Sequence, residues 1–283
     1  MSDKYTDGRA QMFDDQPGPA LSGAETWLFF LLLLLLSLPF YALGAAGGRL
    51  PIATFFPMSA LMAFVPSAAA LILVCRARGV SGAKAFLGRA LDYRRIEGVE
   101  WLLTPLLLMP VLYLVAYGAL RLVGRALPDV QFYPIAEMVA FALVFFVGAI
   151  GEELGWQGFA YSLLKKGNSA LMPALTLGAI WAFWHVIPHA QMGRGASWIV
   201  WQCLGAVALR VIIVWLFVNT GQSVFVAVLL HMTINMPWGF VQNYESFYDP
   251  FIVFVILAVV AGTVVAIWGS STLARFRYAR GRA

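Results

Sequence analysis

Long, almost unbroken apolar runs dominate the chain, separated by short stretches rich in polar residues, Gly or Pro. Eight such runs predict helices over about 27–46, 51–75, 100–123, 135–165, 169–190, 197–219, 222–242 and 250–271. Each approaches or exceeds the roughly 20 apolar residues that a helix needs to cross the hydrocarbon of a bilayer. The pattern therefore predicts an all-α, polytopic transmembrane bundle of about eight helices. It divides the chain into a polar N-terminal segment (1–26), a transmembrane domain (27–274) and a basic tail (275–283). No internal repeat and no low-complexity linker interrupts it. The run Leu31–Leu36 imitates the core of a signal peptide, but the apolar stretch from Trp27 to Ala46 is long enough to span and remain.

Composition agrees. The 283 residues are 61% hydrophobic and 12% charged, whereas soluble domains average about 45–50% apolar and about 25% charged. The net charge of +5 does not point to nucleic acid, because the basic residues form no patch with interleaved aromatics. They collect at the ends of the apolar runs, where lipid headgroups receive them. With the N-terminus inside, 14 of the 19 Lys and Arg fall on the cytoplasmic side: Lys4, Arg9, Arg76, Arg78, Lys84, Arg89, Arg94, Arg95, Lys165, Lys166, Arg275, Arg277, Arg280 and Arg282. Arg49, Arg121, Arg125 and Arg194 fall outside, and Arg210 lies within a span. The bias predicts both termini in the cytoplasm. Ser81–Arg95, basic and partly apolar, is expected to lie along the inner leaflet. Cys75 and Cys203 imply no disulfide framework, and neither has a CxxC partner.

Ionisable groups within spans are costly and usually face a bundle interior or a wet cavity. Here they are Glu152, Glu153, His185, Arg210 and His231, joined by the polar Gln157 and Asn235. Glu153 and Gln157 are four apart, as are Trp181 and His185, and His231 and Asn235, so each pair shares a helix face. Glu152 and Glu153 point roughly 100° apart and can hold different roles. Counted from the nearest cytoplasmic turns at about 1.5 Å per residue, Glu152 lies roughly 20 Å deep, His185 roughly 24 Å, His231 about 13–16 Å and Asn235 about 20–22 Å. Three helices thus bring carboxylates, imidazoles and an amide to similar depth.

A poorly solvated carboxylate suits general-base work. A neighbouring histidine can orient a water and later protonate an amine, and a histidine with an asparagine can donate to a developing oxyanion. Those parts suffice for water attack on a peptide carbonyl. Two histidines with a carboxylate (Glu152, His185 and His231) also make a plausible zinc set with an open position. The residues alone leave both readings open.

The stretch Gly151-Glu152-Glu153-Leu154-Gly155-Trp156-Gln157 resembles the EExxxR motif of the CAAX-protease and bacteriocin-processing (CPBP, or Abi) family of intramembrane proteases, and of its type II CAAX prenyl endopeptidase-like group. Trp181-Ala-Phe-Trp-His185 is similar to the family's FxxxH motif, and His231-Met-Thr-Ile-Asn235 to its HxxxN motif. The order matches, over about residues 135–240. The resemblance implies an intramembrane endopeptidase, traditionally described as a metalloprotease, acting on a membrane-associated or lipidated peptide or protein. It implies Glu152 as base, His185 as its partner, His231 and Asn235 as oxyanion donors, and Glu153 as a supporting acid. The motif arginine is Gln157 here, which is expected to keep a hydrogen bond to Glu153 without supplying charge. Arg210, roughly 14 Å from the cytoplasmic side, is expected to supply that charge instead.

The bland alternatives carry their own expectations. Asn235 and His231 can simply bond neighbouring helices. His189 reads as interfacial, the aromatics around Trp181 as packing, and Gly155 and Gly158 as points of close helix approach. A proton-coupled transporter could use buried Glu and His, but repeats and paired broken helices are absent from the pattern. A non-enzymatic, immunity-type membrane partner is the other alternative. The expectation taken forward is a multi-pass protein of a bacterial plasma membrane that cleaves a peptide bond near the cytoplasmic half of the bilayer.

Overall fold

The computed structural model describes residues 23–51 and 53–274. The polar segment before residue 23 and the basic tail from 275 lie outside the described residues. Helix α1 spans Gly23–Ala45. A short antiparallel pair, β1 (Arg49–Leu50) and β2 (Ala53–Pro57), leads through a 3-10 turn at Met58–Phe64 into α2 (Val65–Gly88). Helix α3 covers Val99–Leu122, and α4 (Ile135–Gly155) continues through a wider π turn at Trp156–Ala160 into α5 (Tyr161–Lys165). Then follow α6 (Leu171–Trp184), α7 (Val186–Gln191), α8 (Ala196–Asn219), α9 (Val224–Phe240) and α10 (Pro250–Trp268). Seven of these stretches are long and apolar enough to cross a membrane, and Val224–Phe240 is a shorter apolar helix. The chain is a multi-pass integral membrane protein. Its outward faces are apolar, as at Trp27, Leu31 and Leu34 of α1 and Leu143 and Val147 of α4, because lipid rather than water is their solvent.

Three expected boundaries move, each for a local reason. The second helix starts at Met58, not 51. Gly47, at φ +82°, turns the chain, and Ala53–Pro57 is a β-branched and aromatic run between Pro51 and Pro57 that favours extended backbone. The same helix runs past 75 to Gly88, bending at Gly79, where φ is +63°. The expected helix 169–190 breaks at His185. Pro188 has no N–H to give the Trp184 carbonyl, and that carbonyl accepts from Tyr41 Oη at 2.7 Å instead.

The segment expected along the inner leaflet has another task. Arg89 donates to the Gly158 carbonyl at 2.6 Å and to the Gln222 carbonyl at 3.0 Å, and Arg95 donates to the Gly221 carbonyl at 3.1 Å. Asp92 Oδ1 accepts from Ser223 Oγ at 2.8 Å and from the Phe225 N–H at 3.1 Å, so it caps the start of α9. Residues 89–95 thereby fasten the π turn of α4 to the N-terminus of α9.

Helices α2 and α4 meet closely. A Cβ at Gly151 would stand 2.7 Å from the Ala63 carbonyl oxygen, and one at Gly155 would overlap the backbone of Pro66. Gly158, expected to serve the same purpose, does not: its added Cβ would meet Phe86 at an ordinary 3.5 Å. The expected outcome is that Gly155→Ala destabilises the detergent-solubilised protein by about 1–3 kcal/mol through overpacking. Gly158→Ala should be neutral or slightly stabilising, because alanine suits a helix better than glycine. Thermal unfolding of both variants checks the contrast, and equal effects would contradict it.

Candidate active site

Six of the seven residues singled out by sequence converge on one place. Adjacent Glu152 and Glu153 come from the last turn of α4, where close packing on α2 through Gly151 and Gly155 sets their position. His185 sits at the α6–α7 break, Arg210 on α8, and His231 and Asn235 on α9. Glu152, Glu153, Arg210 and His231 are all buried.

Glu153 faces inward, away from any cavity. Both its oxygens accept from Arg210 Nη1, at 3.0 and 2.8 Å, and Oε1 also pairs with His231 Nδ1 at 2.8 Å. Neither Glu153 nor Arg210 has any exposed side-chain surface. The Arg210 guanidinium carbon lies 4.3 Å from the centre of the Trp181 ring, which gives the charge an aromatic face where water is excluded. The charge that the motif leaves missing at position 157 thus enters from α8. The bond expected from Gln157 to Glu153 is not formed. Gln157 is buried within the π turn, and neither its Nε2 nor its Oε1 has a partner among the described residues. Arg210 and His231 already occupy the Glu153 oxygens.

Glu152 faces the other way. Its Oε2 accepts from Trp181 Nε1 at 2.6 Å and from Trp156 Nε1 at 3.3 Å. Its Oε1 is left to face two imidazoles: His185 Nε2 and His231 Nε2 each stand 3.9 Å away. That is too long for a direct hydrogen bond and suits an intervening water. His185 is oriented by its Nδ1, which donates to the Trp181 carbonyl at 2.8 Å. Trp181 goes beyond the packing role expected of it, and Trp156, for which no role was expected, joins it. Trp156 follows Glu152 by four residues and Trp181 precedes His185 by four, a spacing that could have flagged them.

Glu152, His185, His231 and Asn235 line a cavity of about 540 Å³ whose remaining wall is mostly apolar, including Met109, Leu143, Val147 and Leu257. The Asn235 amide lines it without a bond to another described residue. Tyr113, also in the wall, donates to the Ile234 carbonyl at 3.0 Å and steadies this turn of α9. From Glu152 the cavity runs towards the end of the bundle where α7 ends and α8 begins, reaching Met192 and Trp198. Depth counted along helices could not reveal on which side of the carboxylates the space lies.

Comparison with known proteins follows the same residues. Positions 134–237 match the family described as Rce1-like, type II CAAX prenyl endopeptidase Rce1-like, and this stretch contains every residue of the cluster. A curated relative, CAAX prenyl protease 2 of Methanococcus maripaludis, is 22% identical over 182 residues. The match covers 58% of this chain, and the chain spans 65% of the length of that relative.

The same cluster presents the donors of a zinc site. Two imidazole nitrogens and a carboxylate oxygen have suitable donor chemistry. A tetrahedral ion with ligands at about 2.0–2.1 Å holds them roughly 3.3 Å apart. Both imidazoles stand 3.9 Å from Glu152 Oε1, and no group of three or more His, Cys, Asp or Glu among the described residues has metal-binding spacing. The 3.9 Å spacing lies between the roughly 3.3 Å of a zinc shell and the roughly 4.6 Å set by a water hydrogen-bonded to both groups at about 2.8 Å, so the same donors can serve either guest.

Removing one partner from a buried ion pair strands the other charge. Arg210→Gln should therefore destabilise the protein by about 3–5 kcal/mol, and the double variant Glu153→Gln/Arg210→Gln should recover much of that loss. Thermal unfolding in one detergent measures both. A double variant no better than the single one would show that the pair is not the source of the effect.

Proposed function

We propose that this protein is an intramembrane endopeptidase that hydrolyses a peptide bond in a membrane-associated peptide or protein. The observation that carries the reading is the asymmetry of Glu152. One oxygen is tied by two indole N–H groups, and the other faces two imidazole Nε2 atoms at 3.9 Å in the wall of a largely apolar cavity. A carboxylate that only held helices together would gain nothing from a free, cavity-facing oxygen. The Rce1-like core, and the name of the curated relative, support the same reaction class.

In the proposed reaction a water sits between Glu152 Oε1 and the imidazoles. Glu152 takes a proton from it as the water oxygen attacks the substrate carbonyl carbon. The carbonyl oxygen gains negative charge and accepts from the Asn235 amide and from His231 Nε2. In its imidazolium form His231 donates from both nitrogens, and its charge with that of Arg210 balances the two carboxylates. The C–N bond then breaks, and the proton held by Glu152 passes, directly or through His185, to the leaving amine. The products are a carboxylic acid and an amine, so the atoms of one water are accounted for. Glu153 never meets the substrate. It is a positioning residue that fixes His231 through Nδ1 while Arg210 fixes Glu153.

The test is cleavage of a panel of membrane-anchored peptides by purified, reconstituted protein. Glu152→Gln should abolish cleavage without loss of thermal stability. Asn235→Ala should lower kcat by about 10²–10³, as removal of one oxyanion donor does elsewhere. A chelator should leave the rate unchanged, and loss of activity that zinc restores would replace the Glu152-held water with a metal-held one. Trp181→Phe keeps the ring but removes an N–H to a charged acceptor, an interaction of about 1.5–3 kcal/mol. A fall of about ten- to a hundredfold in kcat, at 1.4 kcal/mol per tenfold, is expected. An unchanged rate would show that the indole does not hold the base.

A further inference from the structure

Away from Glu152 and the imidazoles the cavity wall is mostly apolar, so a polar group set in it has to be accounted for. Gln202 of α8 is such a group. It shares a helix face with Ala206 and Leu209, and all three line the cavity. Tyr248 Oη, from the connection before α10, donates to Gln202 Oε1. The Tyr248 ring is itself held, with the rings of Trp198, Trp238 and Tyr244 at centroid distances of 5.9, 5.8 and 5.6 Å. One end of the amide is therefore fixed. The other end, Nε2 with its two N–H donors, bonds no other described residue and is left to the cavity. Neighbouring polar groups of the wall are spent differently. Tyr113 Oη and Cys203 Sγ both turn to protein carbonyls, those of Ile234 and Ala182.

Gln202 stands seven residues before Leu209, whose neighbour Arg210 holds Glu153. At about 1.5 Å per residue that is roughly 10 Å along the helix. An extended chain rises about 3.3–3.6 Å per residue, so about three of its residues cover the distance. An extended peptide also carries main-chain groups that a helix would pair internally, and away from water each needs a partner. A carboxamide donor on an apolar wall meets that need for a carbonyl oxygen.

We infer that Gln202 is a main-chain anchor for the peptide that occupies the cavity. Its Nε2 donates to a carbonyl oxygen about three residues from the bond that faces Glu152, and Tyr248 holds the amide in that orientation. Calling the peptide a substrate rests on the proteolytic reading above; its anchoring does not. An anchor of this kind reads no side chain. Selection among sequences then falls to the apolar wall around it, including Trp198, one turn before Gln202 on the same face of α8.

The experiment uses the full chain in lipid nanodiscs, with Glu152→Gln to prevent turnover and Cys75→Ser to leave Cys203 as the remaining thiol. Cys203 lines the cavity, so the concentration of a membrane-anchored peptide that halves its alkylation by N-ethylmaleimide measures binding inside. Gln202→Met, similar in length and without the donor, should weaken binding about two- to tenfold, the net worth of one hydrogen bond. Peptides with an E-alkene in place of one amide at a time locate the partner. One replacement, and not its neighbours, should weaken binding to the Gln202 protein by a similar factor and cost nothing further with Gln202→Met. Tyr248→Phe keeps the ring and frees the amide, and should give an intermediate loss. Unchanged binding with Gln202→Met, losses that add for every peptide, or no protection of Cys203 by any peptide would overturn the inference. A closed cycle with no cleavage by the Glu152 protein would instead remove the proteolytic reading and leave the anchor standing.

Discussion

The burial of Glu153 against Arg210 is the constraint from which the rest of the site follows. An ionised carboxylate without exposed surface, in the middle of a lipid-embedded bundle, is tolerable only if it is paired and hydrogen-bonded. Here the pairing draws on three helices. Arg210 reaches in from α8, His231 from α9, and the Trp181 face from α6 lies over the guanidinium. Because Glu152 points roughly a quarter-turn away from Glu153, the pair also fixes where Glu152 must face. The stabilising residue and the reactive one are chain neighbours, and helix geometry separates their tasks.

Backbone devices hold this arrangement in register. The start of α9 is capped by Asp92, and Arg89 and Arg95 bind carbonyls at Gly158, Gln222 and Gly221. The end of α4 that carries the glutamates and the helix that carries His231 are therefore joined at one end of the bundle. At the other site helix, Pro188 interrupts the α6–α7 ladder and frees the Trp184 carbonyl for Tyr41 of α1. His185 sits at that interruption with its Nδ1 tied to Trp181. Polar anchoring is concentrated at the basic end and around the carboxylates, while the cavity occupies the other half between mostly apolar walls.

Much of this was legible in the chain, and the failures have physical causes. Spans announce themselves because a bilayer demands long apolar runs, and the buried ionisable residues stand out because lipid tolerates so few. The missing charge at Gln157 pointed to Arg210 for the same reason: an unpaired Glu153 needed a cation from somewhere. Hydrogen bonds from indoles were legible only as a spacing: Trp156 and Trp181 stand four residues from Glu152 and His185, but in a sequence rich in aromatics that spacing does not separate donors from packing. The strands at 49–57 were hidden by their apolarity, which in this chain normally means helix. Within Ser81–Arg95, the stretch expected along the inner leaflet, the hydrogen bonds of Arg89 and Arg95 were not legible, because their partners are carbonyl oxygens, which a sequence does not display. The direction of the cavity depends on which side of the carboxylates the side chains leave empty, and a count of residues along a helix holds no such information.

Moving the positive charge from α4 to α8 has a consequence for how the site couples to its contents. Carried four residues after Glu153 on the same helix, the charge would be local, and its distance from the carboxylate would be set by one helical turn. Carried by Arg210, it depends on how α8 packs on α4 and α6. Helix α8 also supplies Gln202, Cys203, Ala206 and Leu209 to the cavity wall, and Leu209 adjoins Arg210 in the chain. The wall that a bound segment touches and the cation that fixes Glu153, and through it His231, are parts of one rigid element. A segment that displaced α8 would have to pull Arg210 away from a fully buried carboxylate and leave it with His231 alone. The ion pair therefore resists distortion of the wall, and the cavity should select segments that fit it as it stands rather than reshape around them.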